Sequence, residues 1–251
     1  MLEVLVALLA ASLVILLLSQ TLSIFALRFT KLEAKANNFD RAVQAFLWIR
    51  QDFDEARRVE FPLHAEFQSH LSPEEDLLYP LQQNVQILAA PLPCFKLSIA
   101  YAGGDSIWTV HAWRPWRNVV GRGGENFLLG TSTDRLKAHA LKHLSEGDII
   151  ALKEAHQVQL FKVKQANALK ITLNEALIHS LDNAQLGLLS SRLWYVGQTG
   201  QGKKALYRWQ DGSAEKMVEG VENLALKIQK NPVRMELVIQ VEGVKYEFAS
   251  S

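Results

Sequence analysis

MLEVLVALLAASLVILLLSQTLSIFAL, residues 1–27, carries a single charge, the carboxylate of Glu3. From Val4 to Leu18 the stretch is almost wholly apolar, and helix-compatible residues continue to Leu27. About 20 apolar residues in a helix suffice to cross a bilayer. A charged side chain inside such a segment costs roughly 2.5–3.5 kcal/mol at the bilayer centre, less near the interface. Glu3 therefore requires a partner for its charge.

The helical signal does not stop with the apolar run. Neither glycine nor proline occurs before Pro62, and the stretch is rich in Leu, Ala, Glu, Arg and Gln. One helix of about 58 residues, roughly 87 Å long, is expected. Its second half is amphipathic: Phe39, Val43, Phe46, Leu47 and Phe53 recur at helical spacing, with Ile49 and Ala56 on the flank. This stripe is expected to face a globular domain, with Arg41, Arg50, Asp54, Arg57 and Arg58 directed elsewhere. The chain divides into an apolar helix (1–27), its amphipathic continuation (28–61) and a head (62–251). A cleaved signal peptide fits poorly, because no Lys or Arg precedes the apolar run and no small-x-small site ends it.

At 251 residues the chain has room for one membrane helix and one domain. A formal charge of +1 excludes a strongly basic nucleic-acid binder, and no nucleic-acid partner is expected. The lone cysteine, Cys94, lies among Pro91, Leu92, Pro93 and Phe95 and reads as a small buried apolar residue.

After Pro62 the texture changes. Ser72-Pro73-Glu74-Glu75 has the form of an N-cap with Pro at N1 and Glu at N3, the start of a short helix. From Phe95 onward strands dominate: Phe95–Tyr101, Ile107–Ala112, Ile149–Leu152, Val158–Val163, Leu193–Val196 and Ala205–Trp209. Leu224, Leu226 and Ile228 form a further period-2 face. The C-terminus reads as a hairpin, Met235, Leu237, Ile239 and Val241 on one arm and Val244, Tyr246 and Phe248 on the other, turning at Glu242-Gly243. Asn118–Asp134 is expected to be a long loop and 198–204 a shorter one. The fold class is α+β: a long N-terminal helix on a mainly antiparallel β head.

Signals for chemistry are weak. His139 and His143 stand four apart, a spacing able to hold a metal, but no third ligand lies nearby and Lys137 and Lys142 flank them. Gly121-Arg122-Gly123-Gly124 follows no clear strand and opens no helix, so it reads as a turn and not a phosphate loop. Trp108, Trp113 and Trp116 interleave with Arg114 and Arg117, a pattern able to stack on nucleic acid or sugar but more often half-buried packing. No enzyme, metal or cofactor is expected.

Met1-Leu2-Glu3-Val4-Leu5-Val6-Ala7-Leu8 resembles the N-terminal motif of type IV pilins and pseudopilins, Glu3 falling on the family's glutamate. FLWIRQDFDEAR (Phe46–Arg57), Leu206-Tyr207-Arg208 and Val218-Glu219-Gly220-Val221-Glu222-Asn223-Leu224 are similar to segments of the PilW minor pilins, relatives of the GspJ pseudopilins of type II secretion. Ser145-Glu146-Gly147-Asp148-Ile149-Ile150 and Leu160-Phe161-Lys162-Val163 also fit that family's middle. The resemblance implies a pilin-like fold in the bacterial inner membrane with a periplasmic head, moving to the pilus at the cell surface on assembly. It implies that Glu3 neutralises the N-terminal amine of a neighbouring subunit, a registry role. Val4, Leu5, Leu8, Leu13 and Leu16 would pack against lipid first and other helices afterwards. Implied partners are other minor pilins, the major pilin, the inner-membrane assembly machinery and prepilin peptidase. Adhesion and twitching motility belong to the same family context.

The family's glutamate is the fifth mature residue and here stands third. Met1 is accordingly expected at the family's third mature position, with the leader and a Gly-Phe-Ser/Thr junction encoded upstream. Arg28, Lys31 and Lys35 alone favour a cytoplasmic C-terminus, and a basic leader would restore the periplasmic orientation. Two alternatives stand beside this reading: a type II secretion pseudopilin, and a periplasmic binding domain or enzyme for which the helix is only a tether.

Overall fold

The computed structural model describes residues 2–57, 66–69, 87–90, 100–130, 144–154, 157–167, 170–210, 213–230 and 233–250. Side chains of residues 2–8, 10 and 112–117, among others, stand outside what is described. Ser72–Glu75, Cys94, His139, His143 and all but the last two residues of the Phe95–Tyr101 strand also lie outside.

Helix α1 runs unbroken from Leu2–Arg57, 56 residues and about 84 Å. The expected single helix is thus present, and nothing interrupts it at Leu27. The head is built from short strands β1 (Glu66–Ser69), β2 (Ile87–Ala90) and β3 (Ala100–Tyr101), then β4 (Ser106–Gly121), β5 (Phe127–Gly130), β6 (Ile149–Lys153), β7 (Gln157–Ala166), β8 (Lys170–Leu173) and β9 (Leu181–Gln198). It ends with β10 (Lys204–Gln210), β11 (Ser213–Glu219), β12 (Val221–Lys230), β13 (Val233–Val241) and β14 (Val244–Ser250).

Six of these strands close on themselves. β4 pairs β5, β5 pairs β8, β8 pairs β7, β7 pairs β6, β6 pairs β9, and β9 returns to β4, every pair antiparallel. The ring is a small barrel, and closure removes the exposed edges an open sheet would carry. Its interior is filled with Val119, Leu128, Ile150, Leu152, Phe161, Val163, Ile171 and Leu173, all at most 1% exposed. The one departure from antiparallel pairing among the described strands is β1, parallel to β7.

Beyond the barrel, the end of β9 continues with β10 and β11 as an open wing. Alternation sends Trp194 and Val196 to the helix side, and Leu193 and Tyr195 to the opposite face with Trp108, Tyr207 and Trp209. β12, β13 and β14 form a separate three-stranded meander. Leu224, Leu226, Met235, Leu237, Ile239 and Val241 point from it toward the same core. The last five turns of α1 lie against both surfaces, and Phe46 stacks on Phe248 with ring centroids 4.7 Å apart.

Three expectations change. The buried stripe of α1 is Asn38, Ala42, Ala45, Phe46, Ile49, Asp52, Phe53 and Ala56. Phe39 (50% exposed) and Leu47 (54%) lie outside it. The stripe is turned about 100° from the expected one, one residue's rotation. Small alanines let the helix sit close to the sheets, and the polar members find partners there, so fit outweighs side-chain hydrophobicity. Burial also begins only at Asn38, leaving residues 28–37 outside the head. Finally, Asn118–Gly121 belongs to β4 and Phe127–Gly130 to β5, so within the expected loop only 122–126 is a described turn. The stretch reads as loop because its glycines hide the pairing that β9 and β8 supply.

The C-terminal hairpin forms as expected, Met235, Leu237, Ile239 and Val241 being fully buried. Glu242 (φ 47°) and Gly243 (φ 79°) make the turn, both in the left-handed region that a two-residue hairpin loop favours.

Candidate functional site

Two features of α1 carry functional weight: an uncovered apolar arm, and a polar latch that fixes its other end to the head.

The arm is long and apolar enough to cross a membrane, and its apolar stretch is not buried. Leu13 is 53% exposed and Leu16 57%, with Ile15, Leu22 and Phe25 at 66–68%. Each such side chain gains roughly 1.5–3 kcal/mol when removed from water, so an arm bare in water is untenable. Its hydroxyls are already satisfied. Ser12, Ser19, Thr21 and Ser23 each donate to the carbonyl of Leu9, Leu16, Leu18 and Gln20, one turn back, at 2.8–2.9 Å. That back-bonding leaves no hydroxyl donor needing water, as an apolar medium requires. Glu3 lies in the first turn of this helix. Its side chain and those of Val4, Leu5 and Leu8 are outside the described residues.

The latch occupies the last turns of α1. Asp52 is 3% exposed and accepts hydrogen bonds from Arg192 Nη1 and, at 2.8 Å, from Trp194 Nε1. The same Arg192 Nη1 donates to Glu55 Oε2 at 2.9 Å. His111 sits beneath with Nδ1 3.8 Å from Glu55 Oε2 and Nε2 2.7 Å from Thr109 Oγ1. β9 supplies Arg192 and Trp194 on alternate positions of one face, and β4 supplies Thr109 and His111 likewise, so the barrel's longest pairing positions the receptor for the helix.

Burial dominates the electrostatics. It raises the Asp52 carboxyl above its ordinary value, and the Arg192 charge with the Trp194 and Arg192 hydrogen bonds offsets this only in part. Burial pushes His111 down to about 4, with Arg192 adding to the effect and Glu55 opposing it. The imidazole is therefore neutral at physiological pH. Glu55, at the solvent edge, is lowered: burial acts upward, but hydrogen bonds from Gln51 and Arg192 outweigh it.

Other candidates resolve into structure. Trp108 is 2% exposed in the core of the wing, so it cannot stack on a ligand; the side chains of Trp113 and Trp116 lie outside the described residues. Gly121–Gly124 closes β4 onto β5, with Gly124 N donating to Leu177 O at 2.8 Å and Gly123 N to Ser180 Oγ at 3.0 Å. It is a pinned turn. A cleft of about 640 Å³ lies between Arg41 and the 199–203 turn. Its lining mixes signs, and Arg41–Glu242 and Lys216–Glu219 are already paired. No cluster suited to a metal occurs among the described residues.

Sequence reasoning missed the latch. One signal was available: Asp52 interrupts an otherwise apolar spacing with Ala45, Ile49 and Ala56. A carboxylate on a buried face demands a cation from elsewhere.

Comparison of the chain with protein-family models, curated proteins and solved structures finds no match.

Proposed function

We propose that this chain is a minor pilin of a type IV pilus, PilW-like, which primes pilus assembly in the inner membrane and sits at or near the filament tip. The observation that carries the reading is the helix itself. An apolar arm with satisfied hydroxyls stands clear of the head, carries Glu3 in its first turn, and continues as one helix into a latch on a β-rich domain. Such an element exchanges lipid for neighbouring helices without refolding, because both are apolar media. In this reading the head lies in the periplasm and contacts other minor pilins and the major pilin.

Glu3 is the registry residue. Paired with the N-terminal amine of a neighbour inside an apolar bundle, it favours the axial stagger that brings the charges together, and loss of either partner leaves the other unpaired. No catalytic step is proposed. The same physics serves a type II secretion pseudopilin, and assaying piliation separately from secretion distinguishes the two machines.

The test is Glu3→Ala in cells, with synthesis and membrane insertion checked first. Piliation is expected to fall sharply while the protein remains inserted. Normal piliation would refute the registry role and favour a helix that is only a tether.

A further inference from the structure

Between the apolar span and the head, α1 carries a pattern that neither of them uses. Leu18, Leu22 and Phe25 begin an alternation of four- and three-residue steps, and Phe29, Leu32, Ala36, Phe39 and Val43 continue it. Beyond Leu27, every large apolar residue as far as Val43 falls on this seam. The period is 3.5 residues, that of a left-handed coiled coil rather than of a helix lying on a sheet.

The head leaves most of the seam uncovered. Phe29 is 68% exposed, Leu32 66% and Phe39 50%. The buried stripe through Asn38, Ala42 and Ile49 lies about a third of a turn away round the axis. At its C-terminal end the seam borders the head, the Phe39 ring lying 5.8 Å from that of Tyr246 and Val43 half-buried, whereas from Phe29 to Ala36 a partner can approach it freely. The seam ends where the next step, Phe46, turns into the head against Phe248.

The flanking charges specify the partner. With Phe29 at heptad position a and Leu32 at d, the g positions are Arg28 and Lys35 and the e positions Glu33 and Asp40, all exposed. In a parallel pair of identical helices in register, each g residue faces the following e residue of the other. Arg28 then meets Glu33, and Lys35 meets Asp40, each pair occurring twice by symmetry. An antiparallel pair would set the cations against each other and the carboxylates likewise. A shift of one heptad would lose half the contacts. Two copies anchored by the same apolar segment are already parallel and at equal depth.

We infer that residues 28–43 pair with the same segment of a second copy as a parallel, in-register, two-stranded coiled coil just outside the membrane span. The inference needs only the seam, its charges and the span, and stands independently of the pilus reading.

The test is disulfide cross-linking of the full chain in phospholipid vesicles, in a Cys94→Ser background. Ala36→Cys, on the seam, is expected to give a covalent dimer on mild oxidation. Ala34→Cys, on the opposite face, is expected to give about tenfold less, the level of random collision. Glu33→Lys with Asp40→Lys keeps the basic flank but makes the e–g contacts repulsive, and is expected to cut Ala36→Cys cross-linking about tenfold. Adding Arg28→Glu and Lys35→Glu restores opposite charges and is expected to recover it. Equal cross-linking at 34 and 36, none at 36 in inserted protein, or no recovery in the fourfold charge reversal would each overturn the inference. None of these readouts depends on piliation, so the Glu3→Ala test can fail while this one succeeds.

Discussion

Replacing Arg192 with methionine removes the cation hydrogen-bonded to Asp52 while keeping an apolar stem of similar reach. Asp52 is 3% exposed, and removing one partner of a buried pair typically costs about 3–5 kcal/mol. Trp194 Nε1 still donates at 2.8 Å, so the lower half of that range applies, about 3–4 kcal/mol. Asp52→Asn is a milder change. It discards a charge that burial already disfavours and keeps an acceptor for one donor, an expected cost of about 1 kcal/mol. The two variants should also part with pH. Asp52's folded pKa is raised, so ionising it opposes folding, and the penalty is greatest above that pKa and relieved as pH falls through it. Loss of Arg192 removes the largest influence holding that pKa down, so the Arg192→Met penalty should shrink as pH falls. Urea titration of the full chain in detergent micelles, followed by tryptophan fluorescence, measures both quantities. An Arg192→Met cost below about 1 kcal/mol, an Asp52→Asn cost equal to it, or a penalty that grows on acidification would refute the latch.

Two further outcomes follow from the same core. His111 has a folded pKa of about 4 against an ordinary 6.5, so its stabilisation is full above 6.5 and is lost as pH falls toward 4, about 3 kcal/mol in all. His111→Leu should remove that slope from the stability-versus-pH curve, and a variant retaining it would show that another group titrates. Gly104 has φ +89°, and a Cβ there would stand 2.2 Å from Asn223 Oδ1 and 3.0 Å from Leu224 O. Gly104→Ala should therefore destabilise the docking of this turn on β12 by about 2 kcal/mol, read by the same titration.

What could be read in the sequence was whatever is decided locally. The absence of Gly and Pro before Pro62 fixes α1, and alternation from Met235 to Phe248 fixes the C-terminal hairpin, because both rest on neighbours within a few residues. Barrel closure was not legible. It depends on β9 pairing β4 and β6 at once, and Leu181–Ser190, with Asp182, Asn183, Gln185 and Gly187 among its leucines, shows no clear strand pattern. The helix face was misjudged for a related reason. Phe39 and Leu47 outweigh Ala42 and Ala45 on any hydrophobic count, yet close approach to a sheet selects the smaller residues. The latch joins Asp52 to residues 140 and 142 positions later, beyond any local pattern.

The circumference of α1 between Arg28 and Arg57 is thus shared out by three different requirements. One face, from Asn38 onward, is given to the head and tightened by Asp52 near its end. A second, from Phe29 to Val43, keeps a coiled-coil period that the head's own packing would not preserve, since 3.6-residue periodicity suffices to lie on a sheet. The remaining face is polar, with Asn37, Gln44 and Gln51 exposed along it. Phe29 and Leu32, both outside the head, would be replaceable by polar residues without penalty to its packing if the seam had no partner. Their presence between flanking charges complementary to those of an identical helix is accounted for by a second helix. The latch then has a mechanical consequence: with Asp52 and Glu55 clamped to Arg192, a load applied to the arm passes into the β9 strand at the junction of barrel and wing. Arg192→Met should accordingly lower the stability of the docked end of the helix, whose Phe46, Ile49 and Phe53 remain in the core, while leaving Ala36→Cys cross-linking intact.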